Sequence, residues 1–282
     1  IRQKLESHPG IKQAHVTTVC CDEQNNWLMY IGIAEDSTQP FLYKPAPKEA
    51  VQLPEEVYSA YKEFMKLVYE AVINNEASQT DSAGYAWLPY PPAKAVQQRM
   101  IGYAQNYLPR IREVLHRSGN ADHRAAAAWI IAYGSNKKDI INDLMHAVND
   151  PGEEVRNNAT RALGTLASYA NNHPQLGLHV PAEPFIAMLN SIVWTDRNKG
   201  ASVLLPLTET RDRILMRSLK EKALPALIDM ARWKETGHAA PAFVILARMA
   251  GMEEQQITEV LYSPRKEASL NDMLKKIRGA TY

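Results

Sequence analysis

The amino-acid sequence predicts a mainly α protein, an α-α superhelix of stacked helix pairs with a small N-terminal β-hairpin element. Three observations carry this. A short pattern occurs twice with an offset of 32 residues: Arg124, Ala127, Ile130 and Ile131 align with Arg156, Ala159, Ala162 and Leu163. That offset is the size of one helix-turn-helix unit in a stacked array. Beyond Pro54, apolar residues recur at 3.6-type spacing almost to the end of the chain. The first fifty residues instead carry β-branched and aromatic runs.

In the N-terminal part, 11–21 is rich in β-branched side chains and 27–33 is an apolar, aromatic run. The polar stretch Asp22-Glu23-Gln24-Asn25-Asn26 between them predicts a hairpin loop. A lone hairpin is marginal in water. This one is expected to pack on the helices that follow or to gain a third strand around Phe41-Leu42-Tyr43. Pro40, Pro45, Pro47 and Pro54 then mark a linker. A helix starts at Pro54 with Glu55 and Glu56 at its positive end; Val57, Tyr61, Phe64, Met65, Val68 and Val72 form its apolar stripe, and Asn74 and Asn75 end it.

Residues 75–94 read as a long loop with Tyr85, Trp87 and Tyr90 among prolines, either a strap plugging a groove or a lid. Met100 to Leu115 predicts one long helix, paired with 121–133. The next pairs are 137–148 with 153–170, 183–194 with 197–207, and 219–233 with 238–250; 253–262 and 266–278 cap the stack with a basic outer face. The expected organisation is 1–50 as the β element, 51–96 as a helix and aromatic-proline loop leading into the array, and 97–282 as the repeats and their cap.

Composition bounds the function. At 282 residues, the hydrophobic fraction of 45% and charged fraction of 22% are those of an ordinary globular chain. No run of 18 apolar residues exists, so no membrane insertion is expected. Lys and Arg number 32 against 31 Asp and Glu, which argues against nucleic acid as the main partner. Cys20 and Cys21 are too few for a disulfide framework or a four-thiolate zinc site, and read as two ordinary thiols. The chain opens on Ile1 rather than Met, which reads as trimming and suggests an exported, periplasmic bacterial protein, the cytoplasm being the alternative.

The stretch Asn149-Asp150-Pro151-Gly152 followed by Val155-Arg156, Ala159 and Ala162-Leu163-Gly164 resembles the second half of a HEAT repeat. Asp122 to Gly134 resembles a weaker second copy, without the Pro after its Asp; units near Asp196 and Gly237 are degenerate. The resemblance covers roughly 97–251, firmly 121–166, and is most like the short HEAT variety also found in phycobilin lyases. It implies that Asp150 and Arg156 are structural, Arg156 bonding the Asp150 carboxylate or carbonyls of the turn. Deoxyhypusine hydroxylase, which resembles this fold, binds iron through His-Glu dipeptides, and no His here precedes a Glu.

The sequence carries little recognisable catalytic chemistry. There is no phosphate-cradling GxxxxGK[ST], no GxSxG elbow and no HExxH. Asp139, Asp143, His146 and Asp150 share one helical face, readable as a divalent-metal set or as a solvated outer face, the latter preferred. Cations outnumber acids between Arg197 and Lys222, a solvated helix edge or a site for an acidic partner.

On the second helices of a stack, positions off the apolar stripe should line the concave surface. These include Ala125, Ala128 and Trp129, then Asn157, Asn158, Thr160 and Arg161. Trp129 aligns with Arg161, and interfaces favour both residue types as anchors; the opposing reading has Trp129 covered by the 85–90 loop or the hairpin. The function expected is a scaffold or adaptor binding an unidentified protein or peptide through Trp129, Asn157, Asn158 and Arg161, with no catalysis, cofactor or metal. The alternative is an enzyme or small-molecule binder, its pocket lying between the hairpin, the 75–94 loop and the first helices. A third reading has the hairpin edge adding to another sheet.

Overall fold

The computed structural model describes residues 1–19, 26–35, 41–74, 76–81, 83–280 and 282. Cys20, Cys21 and most of the expected hairpin loop lie outside these. The described residues are mainly helical, with one two-stranded antiparallel sheet near the N-terminus. The chain forms two compact units, one of Leu42–Val180, the other of Ile1–Phe41 together with Pro181–Tyr282.

The Ile1–Phe41 segment holds α1 (Arg2–Glu6), β1 (Ile11–Val19) and β2 (Leu28–Glu35). The strands pair with Val16 opposite Ile31 and Thr17 opposite Tyr30, and the register shifts by one between Ile11 and Gln13. Leu28 and Ala34 are buried, while Met29, Ile31 and Ile33 on the other face are exposed, the alternation a pleat demands. No strand forms at Phe41-Leu42-Tyr43, so the expected third strand is absent there.

The Leu42–Val180 unit contains α2 (Glu55–Ile73), α3 (Pro91–Asn106), α4 (Leu108–Arg117), α5 (Ala121–Ile131), α6 (Lys137–Ala147) and α7 (Glu153–Asn172). Helix α4 packs on α5 and α6 on α7; α5 lies beside α7 and α4 beside α6. Helices thus pair in sequence and stack by kind, as a helical array requires. The long helix expected over 100–115 is two. Pro109 falls in the first turn of α4, where its missing N–H costs nothing, but α3 cannot run through it. Tyr107, at φ −115° and ψ 15°, is the break.

Arg124 and Arg156 explain the repeat physically. Arg124 NH1 donates to the Ser118 carbonyl at 2.8 Å, and Arg156 NH1 to the Asp150 carbonyl at 2.8 Å. Each thus binds the carbonyl six residues before it, in the turn ahead of its own helix. The two turns are further joined by a buried bidentate pair, Arg124 to both Asp150 oxygens at 2.8 Å. Asp150 Oδ1 also accepts the Gly152 N–H at 2.7 Å, holding the start of α7.

The expected linker is a strap pinned to these turns. Gly119 N–H donates to the Glu49 carbonyl and Lys44 N–H to the Asn149 carbonyl, both at 2.7 Å, and the Tyr43 ring covers the Arg156 guanidinium at 4.2 Å.

In the other unit, α8 (Glu183–Met188), α9 (Trp194–Leu207), α10 (Arg213–Ala231) and α11 (Thr236–Met249) repeat the arrangement: α8 packs on α9, α10 on α11, α8 beside α10 and α9 beside α11. The turn of the first pair spans 189–193, not Thr195-Asp196 as expected, because Asp196 lies in the first turn of α9, with its carboxylate accepting the Ser191 hydroxyl at 2.8 Å. Helices α12 (Glu254–Leu261) and α13 (Lys266–Gly279) follow. The hairpin rests on α9 in this unit. Gly32 permits this: a Cβ there would lie 1.9 Å from the Ile192 carbonyl oxygen.

Candidate functional site

Helix α5 is buried along almost its whole length, from His123 to Ile131. The face expected to open on a concave groove is covered by α2. Tyr61 and Phe64 of α2 lie with ring centroids 6.4 and 5.5 Å from that of Trp129, and Asn158 Nδ2 donates to the Tyr61 hydroxyl at 2.9 Å. Trp129 is 7% exposed and Asn158 1%. The aromatic cover over Trp129 is therefore supplied by α2, a source the sequence did not suggest. Its apolar stripe needed a surface to bury against, and the alanine-rich face of α5 offers close approach.

What stays open is a small pocket at the C-terminal end of α5. It is lined by Tyr85, Trp129, Tyr133, Asn158, Arg161 and short alanine side chains, and has a cavity volume of about 20 Å³, room for one water or a small head group. The pocket brings together Trp129, Asn158, Arg161 and Tyr85 of the expected set. Asn157 sits half-buried on α7, donating to Glu154 at 3.4 Å.

The walls are rigid. Tyr133 OH accepts from Trp129 Nε1 at 3.0 Å and from Gln97 Nε2 at 2.9 Å. Burial pushes the Tyr133 hydroxyl well above the ordinary phenol range. Gln97 also donates to the Ala86 carbonyl at 2.6 Å and accepts the Leu88 N–H at 3.1 Å. The aromatic loop is thereby tied down beside Leu88, which is buried, and Thr80 and Trp87 exchange backbone bonds across its turn. Tyr85 stands edge-on to Tyr133 with centroids 5.0 Å apart, and Lys137 Nζ lies 5.0 Å from the Tyr85 centroid. Burial lowers the Lys137 amine to about 8. Trp87 and Tyr90 are half-buried and do not line the pocket.

Arg161 is the exceptional group. Its guanidinium lies 5.1 Å from the Trp129 ring centroid, a cation–π contact. Among the described residues no carboxylate or carbonyl pairs with it, and its Nε is buried without a hydrogen bond. Burial lowers its pKa, opposed by Tyr133 and Glu154. Asn158 Oδ1, in the same lining, is likewise buried and unpartnered. A sequence signal for the lone cation existed: positions three and four residues either side of Arg161 are Asn157, Asn158, Gly164 and Thr165, none acidic.

The other expected sites resolve into structure. Asp143 accepts from Arg112 at 2.7 Å and lies 3.1 Å from His116 Nε2; Asp150 is held by Arg124, and Asp139 accepts from Asn136 at 2.8 Å. Three of the four candidate metal ligands are thus held by separate partners, and the His146 ring lies against His116 with centroids 4.1 Å apart. Four cations of the basic run are paired within their own unit: Arg197 with Asp229 at 2.8 Å, Lys222 with Glu183 at 3.0 Å, Lys220 with the Ala280 carbonyl at 2.7 Å, and Arg217 with the Tyr282 carbonyl.

A second cavity, about 210 Å³, lies in the hairpin-containing unit along β2, walled by Tyr30, Trp194, Trp233 and the Arg197–Asp229 pair. Tyr30 stacks on Trp194 at 5.0 Å and bonds His238 Nδ1 at 2.8 Å. Burial, with Glu235 nearby, raises Tyr30 to about 12. The sequence did not single out these rings.

Among solved structures, an engineered protein is 13% identical, with a TM-score of 0.46 over 81% of this chain and all of its own. A designed armadillo repeat protein in complex with the peptide (KR)4 is 13% identical, with a TM-score of 0.44 over 79% of this chain and all of its own. Computationally designed armadillo repeat proteins for modular peptide recognition are 13% identical, with a TM-score of 0.43 over 80% of this chain and 93% of theirs. No curated protein matches the chain. The family model for HEAT repeats matches residues 108–176, which span α4 to α7 and both turn arginines. With paired helices stacked by kind and the same arginine-to-carbonyl bond in successive turns, residues 108–176 of this chain are HEAT repeats.

Proposed function

We propose that this chain is a protein- or peptide-binding repeat scaffold without catalytic activity, and that its contact surface is the face of α7 around Arg161, with Asn157 beside it and Trp129, Tyr85 and Asn158 behind it. One observation carries this. Arg161 has no ion pair or side-chain hydrogen bond among the described residues and rests on Trp129 alone, whereas Arg124, Arg156, Arg197, Arg232 and Arg248 each bond a carboxylate or a carbonyl. A half-buried guanidinium on an aromatic wall, with its Nε out of water and without an acceptor, gains from a ligand that completes its hydrogen bonds, and Arg, Trp and Tyr are the side chains that dominate contact energies. Stacked helices present such a surface already ordered, so little entropy is lost on binding. The net charge of +1 favours a protein partner over nucleic acid.

Selection from a random phage-displayed peptide library tests this. Enriched clones should lose about tenfold or more in affinity on the Arg161→Glu chain, the loss of one contact of about 1.4 kcal/mol. No enrichment, or clones indifferent to that substitution, would overturn the reading.

The 210 Å³ cavity supports a second reading, a small ligand bound against Trp233 and the Arg197–Asp229 pair. Quenching of indole fluorescence by a fragment library, abolished in Trp233→Leu, would support it. Absence of any saturable quench would dismiss it.

A further inference from the structure

Resting on that reading of the α7 surface, we infer that the pocket is selective for a carboxylate flanked by an amide N–H. Three features of the pocket point to this chemistry. Arg161 supplies a planar donor fork whose Nε is buried without a hydrogen bond, and a carboxylate matches that fork in shape and charge. Asn158 Oδ1 lacks a donor; its orientation is fixed because Nδ2 is spent on the Tyr61 hydroxyl at 2.9 Å and the Ala125 carbonyl at 3.1 Å. An acceptor held in that way asks for an N–H on the ligand, which a bare inorganic anion lacks. The cavity volume of about 20 Å³ is close to that of one water, so only the tip of the head group enters and the remainder of the partner lies outside. The walls add selection by charge: Trp129 is already faced by Arg161 at 5.1 Å and Tyr85 by Lys137 at 5.0 Å, so a cationic side chain meets two like charges.

Two parts of a polypeptide carry a carboxylate with a neighbouring N–H: the C-terminal residue and an aspartate side chain. The probes separate them. N-acetyl-triglycine with a free carboxylate represents the first and N-acetyl-aspartate N-methylamide the second; N-acetyl-asparagine N-methylamide, amidated triglycine and sodium acetate are controls. Binding is read from the Trp129 indole N–H resonance of the full chain. A saturable shift with one of the two carboxylate probes, at a Kd of about 1 mM for a single anchor, and at least tenfold weaker response to all three controls, is expected.

Arg161→Gln should abolish the shift. Asn157→Glu places an acid four residues before Arg161, where the two pair along the helix; it should weaken the probe about tenfold while leaving the Arg161 side chain in place. Equal response to acetate and the peptides would overturn the N–H requirement, and equal response to the asparagine amide would overturn the carboxylate. If library peptides bind through Arg161 but no carboxylate probe moves Trp129, the contact surface stands and this inference falls. If probes bind and the library yields nothing, the inference stands and the scaffold reading falls.

Discussion

Removal of the Asp150 carboxylate probes the joint between successive repeats directly. Asp150→Ala deletes both 2.8 Å bonds to Arg124 and the 2.7 Å bond from Gly152 N–H. Arg124 is 1% exposed and keeps only its bond to the Ser118 carbonyl. Breaking a buried pair by removing one partner costs about 3–5 kcal/mol, because the remaining charge stays desolvated. The lost bond at the start of α7 adds about 1 kcal/mol. At roughly 3 °C per kcal/mol for a unit of this size, the melting temperature should fall by about 15 °C. Calorimetry and urea denaturation of the full chain measure this. The companion is the double variant Arg124→Met with Asp150→Leu. It leaves no buried charge and should recover all but about 2 kcal/mol, the residue being the lost bonds to Ser118 and Gly152. A single variant melting within about 2 °C of the parent, less than 1 kcal/mol, would refute the assignment of Asp150 and Arg124 as the joint. So would a double variant no more stable than Asp150→Ala.

Leu163 is fully buried on α7, so Leu163→Ala should cost about 2–5 kcal/mol as a core truncation; urea midpoints at unchanged slope check it, and an unchanged midpoint would count against the repeat register. Gly32→Val should detach the hairpin from α9, since even a Cβ would lie 1.9 Å from the Ile192 carbonyl oxygen; limited proteolysis within 1–35 should speed up at least tenfold while α10 and α11 stay resistant. Lys137 should titrate near 8 by NMR, lowered from 10.5 by burial. The unfolded chain binds that proton more tightly, so this burial penalty is fully present below pH 8, relaxes between about 8 and 10.5, and is absent above. Stability of Lys137→Met relative to the parent should therefore shrink across that window, and a pH-independent difference would contradict it.

The sequence by itself determined the local structure: the 3.6-period stripes, the proline and glycine breaks, and the 32-residue echo of Arg124 in Arg156, because each depends on neighbours within one or two helical turns. It also set the turn chemistry, since an arginine in the first turn of a helix can reach back to the carbonyls of the turn before it. The tertiary structure alone decided which faces remained open. Trp129 and Asn158 stand at positions that a bare two-helix repeat would expose, and α2, more than fifty residues earlier, covers them. Likewise the hairpin found α9 through Gly32 and the Ile192 carbonyl. Burial against a distant element depends on shape complementarity between surfaces far apart in the chain, and no period or spacing encodes that. Arg161 lies between the two cases: its lack of a helical acid is legible in the sequence, while the desolvation that makes the lack matter comes from the fold.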